Sequence, residues 1–170
     1  MNDAHPRAVE LVLQLGSHFR TIVLGTAGAD GEPAASVVAA ILDESGAFIV
    51  YVSGLAVHTR HLQANPRASV LVVEDESATA NPFARRRLTF ACRVVPVEPA
   101  TDDHRTLAAA LRAKFGDIID VLASLPDFQL VRLIPQRGRL VAGFGAAFEV
   151  GPAGWHRAET LQLHPVRPAG

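Results

Sequence analysis

The chain of 170 residues has one cysteine, Cys92, and no apolar run long enough to span a bilayer. It also has no basic surplus, its formal net charge being −1. Each shortage excludes something. A lone cysteine rules out an intrachain disulfide and agrees with a reducing cytoplasm. A membrane span needs about 20 consecutive apolar residues. The opening MNDAHPRAVELVLQL is acidic and polar before it turns amphipathic, so neither a membrane segment nor a signal peptide is expected. Nucleic acid is excluded as the main partner, because neutralising phosphates requires excess positive charge. There is no catalytic triad, P-loop or dinucleotide fingerprint. Gly143-Phe144-Gly145 lacks the third glycine and the following helix of a Rossmann turn, and reads as a bend.

What the chain does have is hydrophobic pattern: 49% of its residues are hydrophobic, enough for one well-buried domain. That domain is expected over residues 1–150, with a loosely held Pro- and Gly-rich tail over 151–170. Residues 4–18 place Ala8, Val9, Leu11, Val12 and Leu15 at helical spacing. Beyond Thr21 the period shortens. Short apolar runs, separated by Ala29-Asp30-Gly31-Glu32 and Asp43-Glu44-Ser45-Gly46, predict three antiparallel strands ending at Ser53. A short helix over 55–64, strands over 68–75 and 87–97, and a capped amphipathic helix after Thr101 follow. Segments 128–134 and 139–150 complete the sheet. The expected class is mainly β with α (α+β): an antiparallel barrel with single inserted helices. Several strands (FIVYV, SVLVV, LVAGF) are apolar on both faces, which predicts a homodimer.

The candidate site lies in GAFIVYVSGLAVHTRHLQANPRASVLVV, residues 46–73. Free amides at the start of the short helix, with Ser53, His58, Thr59 and Arg60 around them, make a seat for a phosphate. The plainer reading is an N-capped surface helix. His58 and His61 are one helical turn apart but lack a third ligand for zinc. Cys92 reads as a small buried hydrophobe.

Three stretches, TIVLGTAGADGEPAASVVAAILDESG, FIVYVSGLAVHTRHLQANPRASVLVVE and RRRLTFACRVVPVE, resemble the FMN-binding split barrels related to pyridoxamine 5′-phosphate oxidase. DFQLVRLIPQRGRLVAGFGAAFEV resembles the haem-utilisation (HugZ-like) branch of those proteins. The resemblance implies an FMN-binding split barrel with flanking helices and a homodimer with its cofactor sites near the subunit interface. Ser36, Val37 and Val38 would then line the flavin ring, with Arg87, last of the run Arg85-Arg86-Arg87, near the cofactor. The expected function is that of an FMN-dependent oxidoreductase acting on a small molecule.

The alternative is a haem-binding or haem-degrading protein, with His156 and His164 as candidate axial ligands. A third reading is a member that has lost its cofactor. Two departures matter. Val57-His58 stands where pyridoxamine phosphate oxidases place an Arg-Lys pair, and the tail WHRAETLQLHPVRPAG does not match their C-terminus, so pyridoxamine phosphate oxidation itself is not expected.

Overall fold

The computed structural model describes residues 4–166. Helix α1 (Ala4–His18) is followed by β1 (Thr21–Ala27), β2 (Pro33–Leu42), β3 (Phe48–Ser53), α2 (Val57–Ala64), β4 (Arg67–Val73) and β5 (Arg87–Pro96). Next come α3 (Asp102–Phe115), α4 (Ile118–Ala123), β6 (Phe128–Gly143), β7 (Ala146–Val150) and β8 (Leu163–Pro165). The strands form one sheet in the order β3-β2-β1-β4-β5-β6-β7-β8, and an added β3–β6 pairing closes the first six into a barrel. The expected antiparallel barrel with flanking helices is what the chain forms.

Closure depends on a mismatch of lengths. β6 has 16 residues and β3 only six. β3 pairs with Phe128–Leu133, so the other half of the same β6 edge is left for β7, which pairs with Gly138–Gly143. No break separates 134 from 139, although Pro135 suggests one in the sequence. The missing N–H of Pro135 falls at the β-bulge where the β5 register shifts between Ala91 and Cys92, a place where a ladder bond is already interrupted.

The helix after Thr101 does divide. Thr101 Oγ1 accepts from His104 N at 3.1 Å, capping α3. Gly116 then takes φ 82°, which stops α3 before α4 begins. Together α3 and α4 bring Leu107, Leu111 and Ile119 against Ile41, Ile49 and Leu130, a second core on the outside of the barrel wall. This gives β3 its two apolar faces within one chain, without a partner subunit. Arg132 on β6 ties this layer down, donating to Asp43 at 2.8 Å and to both oxygens of Asp103 at 3.1 and 2.9 Å.

Within the tail, residues 151–166 are not loose, and 167–170 lie outside the described residues. Trp155 is fully buried (0% exposed) and belongs to the main core. Its ring stacks on Phe48 with centroids 5.5 Å apart and lies 4.7 Å from Phe90, while Nε1 donates to the Gly46 carbonyl at 2.8 Å. α1 reaches the ring through Gly16, where an added Cβ would come within 2.8 Å of it. Phe148 and Leu163 extend the same core along β7 and β8.

Trp155→Ala is expected to cost about 3–5 kcal/mol, the range for truncating a fully buried large aromatic. The measurement is the urea midpoint followed by far-UV circular dichroism. A midpoint within error of the parent's would show that the barrel closes without this ring.

Candidate functional site

β2 and β3 are hydrogen-bonded only over Ala40–Leu42 and Phe48–Val50, and α2 packs against β1 and β2 beyond that short pairing. Two of its side chains bond to those strands: His58 Nδ1 lies 3.0 Å from Ser36 Oγ, and His61 Nδ1 lies 3.1 Å from Thr26 Oγ1. Leu62 completes the anchor, buried in the main core. The histidines therefore face different strands rather than each other. Among the described residues no cluster of three or more His, Cys, Asp or Glu could hold a metal ion.

The expected phosphate seat is occupied by the protein's own groups. Ser53 Oγ donates to Asp127 Oδ2 at 2.6 Å and accepts from Leu55 N at 3.2 Å. Gly54 N donates to the Asp127 carbonyl at 2.7 Å. Asp127 thus sets a carboxylate where a phosphate would need positive charge. Arg60 Nη1 donates back to the Leu55 carbonyl at 3.0 Å. Thr59 is buried, and its hydroxyl makes no hydrogen bond among the described residues. Burial holds the His58 pKa below the ordinary 6.5, so the ring is neutral at pH 7 and offers an anion no charge. The helix starts at Val57, and Ala56 gives it no side-chain cap.

The remaining sequence candidates do not all gather here. Ser36 sits beside His58, while Val37 is 70% exposed on the outer side of β2 and Val38 packs against the core. Arg87, at the first residue of β5, donates to the Arg85 carbonyl at 2.9 Å. It lies six residues along β5 from Arg93, about 20 Å at strand rise, and Arg93 marks the end of the barrel near α2. His156 is half-buried. Its ring packs edge-on to Trp155 against Gly46, and its Nδ1 is shut off from water. His164 is exposed on β8, opposite Glu149. Cys92 is buried, and its thiol is pushed up to about 12 by desolvation.

Sequence reading missed a second arrangement on the outer wall. Antiparallel partners share a face, so the pairings trace continuous rungs around the barrel. One runs Ala35, Gly25, Ser69, Ala91, Arg137; the next runs Val37, Val23, Leu71, Thr89, Arg139, Glu149, His164. Ser69, Thr89, Ala91, Arg137, Gly138, Arg139 and Glu149 line a cavity of about 470 Å³. The alternation in Arg137-Gly138-Arg139-Leu140 was the available signal, and it needed the strand to continue past Pro135.

A six-strand barrel closed by β3 and β6, with a helix lodged beside the short β2–β3 pairing, defines a split-barrel protein. A family model described as pyridoxamine 5′-phosphate oxidase matches residues 8–142, and the chain belongs to that family. It is 38% identical over 131 residues to heme oxygenase HutZ of Vibrio cholerae, covering 77% of this chain and 74% of HutZ. It is 33% identical over 119 residues to the chloroplastic heme oxygenase HOZ of Arabidopsis thaliana, covering 70% of this chain but only 35% of HOZ. Among solved structures, HutZ, described as a heme storage protein, aligns with TM-score 0.69 at 35% identity over 72% of this chain and 86% of that one. A heme-binding protein from Mycobacterium smegmatis aligns with TM-score 0.74 at 28% identity, over 89% of this chain and 60% of that one.

These relatives overturn two expectations. FMN as the main cofactor, and flavin-dependent oxidoreduction as the main function, are not what these relatives are named for: they are heme oxygenases and a heme-binding protein. Three of the four side chains expected around the flavin phosphate are engaged within the protein, Ser53 with Asp127, Arg60 with the Leu55 carbonyl and His58 with Ser36, while the Thr59 hydroxyl is not.

In an NMR titration the His58 midpoint is expected below 6.5 and unmoved by added FMN. A rise on adding FMN would mean that an anion does sit beside the ring.

Proposed function

We propose that the protein binds haem and degrades it, with the outer barrel wall and β8 forming the binding surface. The observation that carries this is the exposed His164, held in register with Glu149 and Arg139 at the edge of the cavity beside Ser69 and Ala91. An accessible imidazole suits the proximal position on a haem iron. The small side chains of Gly25, Ser69 and Ala91 leave a shallow floor against which a flat macrocycle can lie. The similarity to HutZ over most of both chains supports the same reading. When bound, haem supplies the redox-active iron and is itself the molecule oxidised, with dioxygen and electrons from an external reductant. The protein's part is to hold it: His164 at the iron, the arginines at the charged edge, and the barrel wall beneath.

The same face is where two copies would meet. Val37 stands 70% exposed beside Val23, outside the cluster that α3 and α4 form over Ile41 on the same strand. The binding surface then lies near the subunit interface of a homodimer. A reducing compartment, the cytoplasm, suits a chain whose one cysteine is free and buried. No helix among the described residues is long and apolar enough to cross a membrane.

Haemin added to the purified protein is expected to give a Soret band, which reductant and air bleach to a linear tetrapyrrole. His164→Ala is expected to abolish or shift the band, while His156→Ala leaves it in place. A parent protein that gives no band, or that copurifies with flavin instead, would overturn the haem reading. Val37→Asp is expected to lower the mass measured by light scattering from dimer to monomer, and a monomeric parent would refute the dimer.

A further inference from the structure

The outer wall carries an arrangement of charge that the fold does not explain. Arg67 on β4 and Arg93 on β5 are direct cross-strand partners, and both are exposed. Like charges placed opposite each other in an antiparallel pair repel. Arg137 stands opposite Ala91, two residues along β5 from Arg93, and Arg139 occupies the next rung. None of the four makes an ion pair among the described residues. Other arginines do so with nearby acids, for example Arg112 with Asp117 and Asp120, and Arg132 with Asp43 and Asp103. The one acid on these rungs is Glu149. So a chain of net charge −1 concentrates unpaired guanidinium groups on one wall, beside its cavity of about 470 Å³.

We infer that Arg67, Arg93, Arg137 and Arg139 form a carboxylate-binding subsite that receives the two propionate groups of a tetrapyrrole and makes the site selective for the diacid. This rests on the haem reading above. A guanidinium presents paired donors that match a carboxylate. Bound carboxylates also remove the Arg67–Arg93 repulsion, so the pair is favourable only when the anion is present. Spacing agrees. His164 is two strand spacings from Arg139 on the same face, about 10 Å, the scale separating a haem iron from its propionate oxygens. Glu149 stands between them on that rung, and the small residues Gly25, Ser69 and Ala91 form the adjoining rung beside Arg137. A neutral face would serve a tetrapyrrole ester equally well; this one discriminates.

The test compares haem with haem dimethyl ester, which keeps the macrocycle and iron but loses both negative charges. Each is titrated by absorbance into the full-length parent and into Arg93→Gln/Arg137→Gln, with circular dichroism to verify folding. The double variant is expected to bind haem roughly tenfold or more weakly and to bind the ester as the parent does. Arg93→Lys/Arg137→Lys is expected to recover part of the haem affinity. Unchanged haem affinity in the glutamine variant would overturn the inference and leave the haem reading standing. An equal loss for both ligands would also overturn it, placing the arginines in the subunit contact instead. A parent protein that binds neither ligand would end both the haem reading and this one.

Discussion

The core of the barrel is organised around a single indole. Trp155 arrives from beyond the last long strand, stacks on Phe48, meets Phe90 and Gly16, and bonds the Gly46 carbonyl. Four parts of the chain far apart in sequence, α1, β3 with its preceding turn, β5 and the tail, are thereby fixed against one another. Gly46 permits this in two ways: its φ of 85° makes the turn, and a side chain there would strike His156. His164, placed on the outer wall nine residues after Trp155, depends on that anchorage.

Much of the barrel was legible because strand patterning is local. The turns at Asp30-Gly31 and Ser45-Gly46, the alternation in β4 and β5, and the helix with its Asn65-Pro66 stop each carry their own signal. Two features were not local. Pro135 reads as a strand break, but only the partner strand shows that a bulge accommodates it. The tail reads as loose from its prolines and glycines, yet one large aromatic within it has a core position waiting. Composition averages over such a residue, and packing does not.

The site was harder, for a related reason. Ser53, Thr59 and Arg60 have the right chemistry to hold a phosphate, and Ser36 bonds to the neighbouring His58. Whether they are free to do so depends on Asp127, 74 positions away, and on a guanidinium that turns back to its own helix. Sequence shows what a side chain can donate, not what already accepts from it. The neutral state of His58 is likewise set by burial against β2. Family resemblance carried the architecture, and of the two ligands it implied the relatives favour haem, the alternative, over FMN.

The indole at the centre of the core is also the only tryptophan in the sequence. Emission excited at the red edge of protein absorbance therefore comes from one point, deep in the core, free of signals from elsewhere. A porphyrin on the outer wall would quench that lone fluorophore by resonance transfer, while loosening of the core would shift its colour toward that of a wetted ring. Ligand arrival and structural opening thus have separate optical signatures, with no label attached.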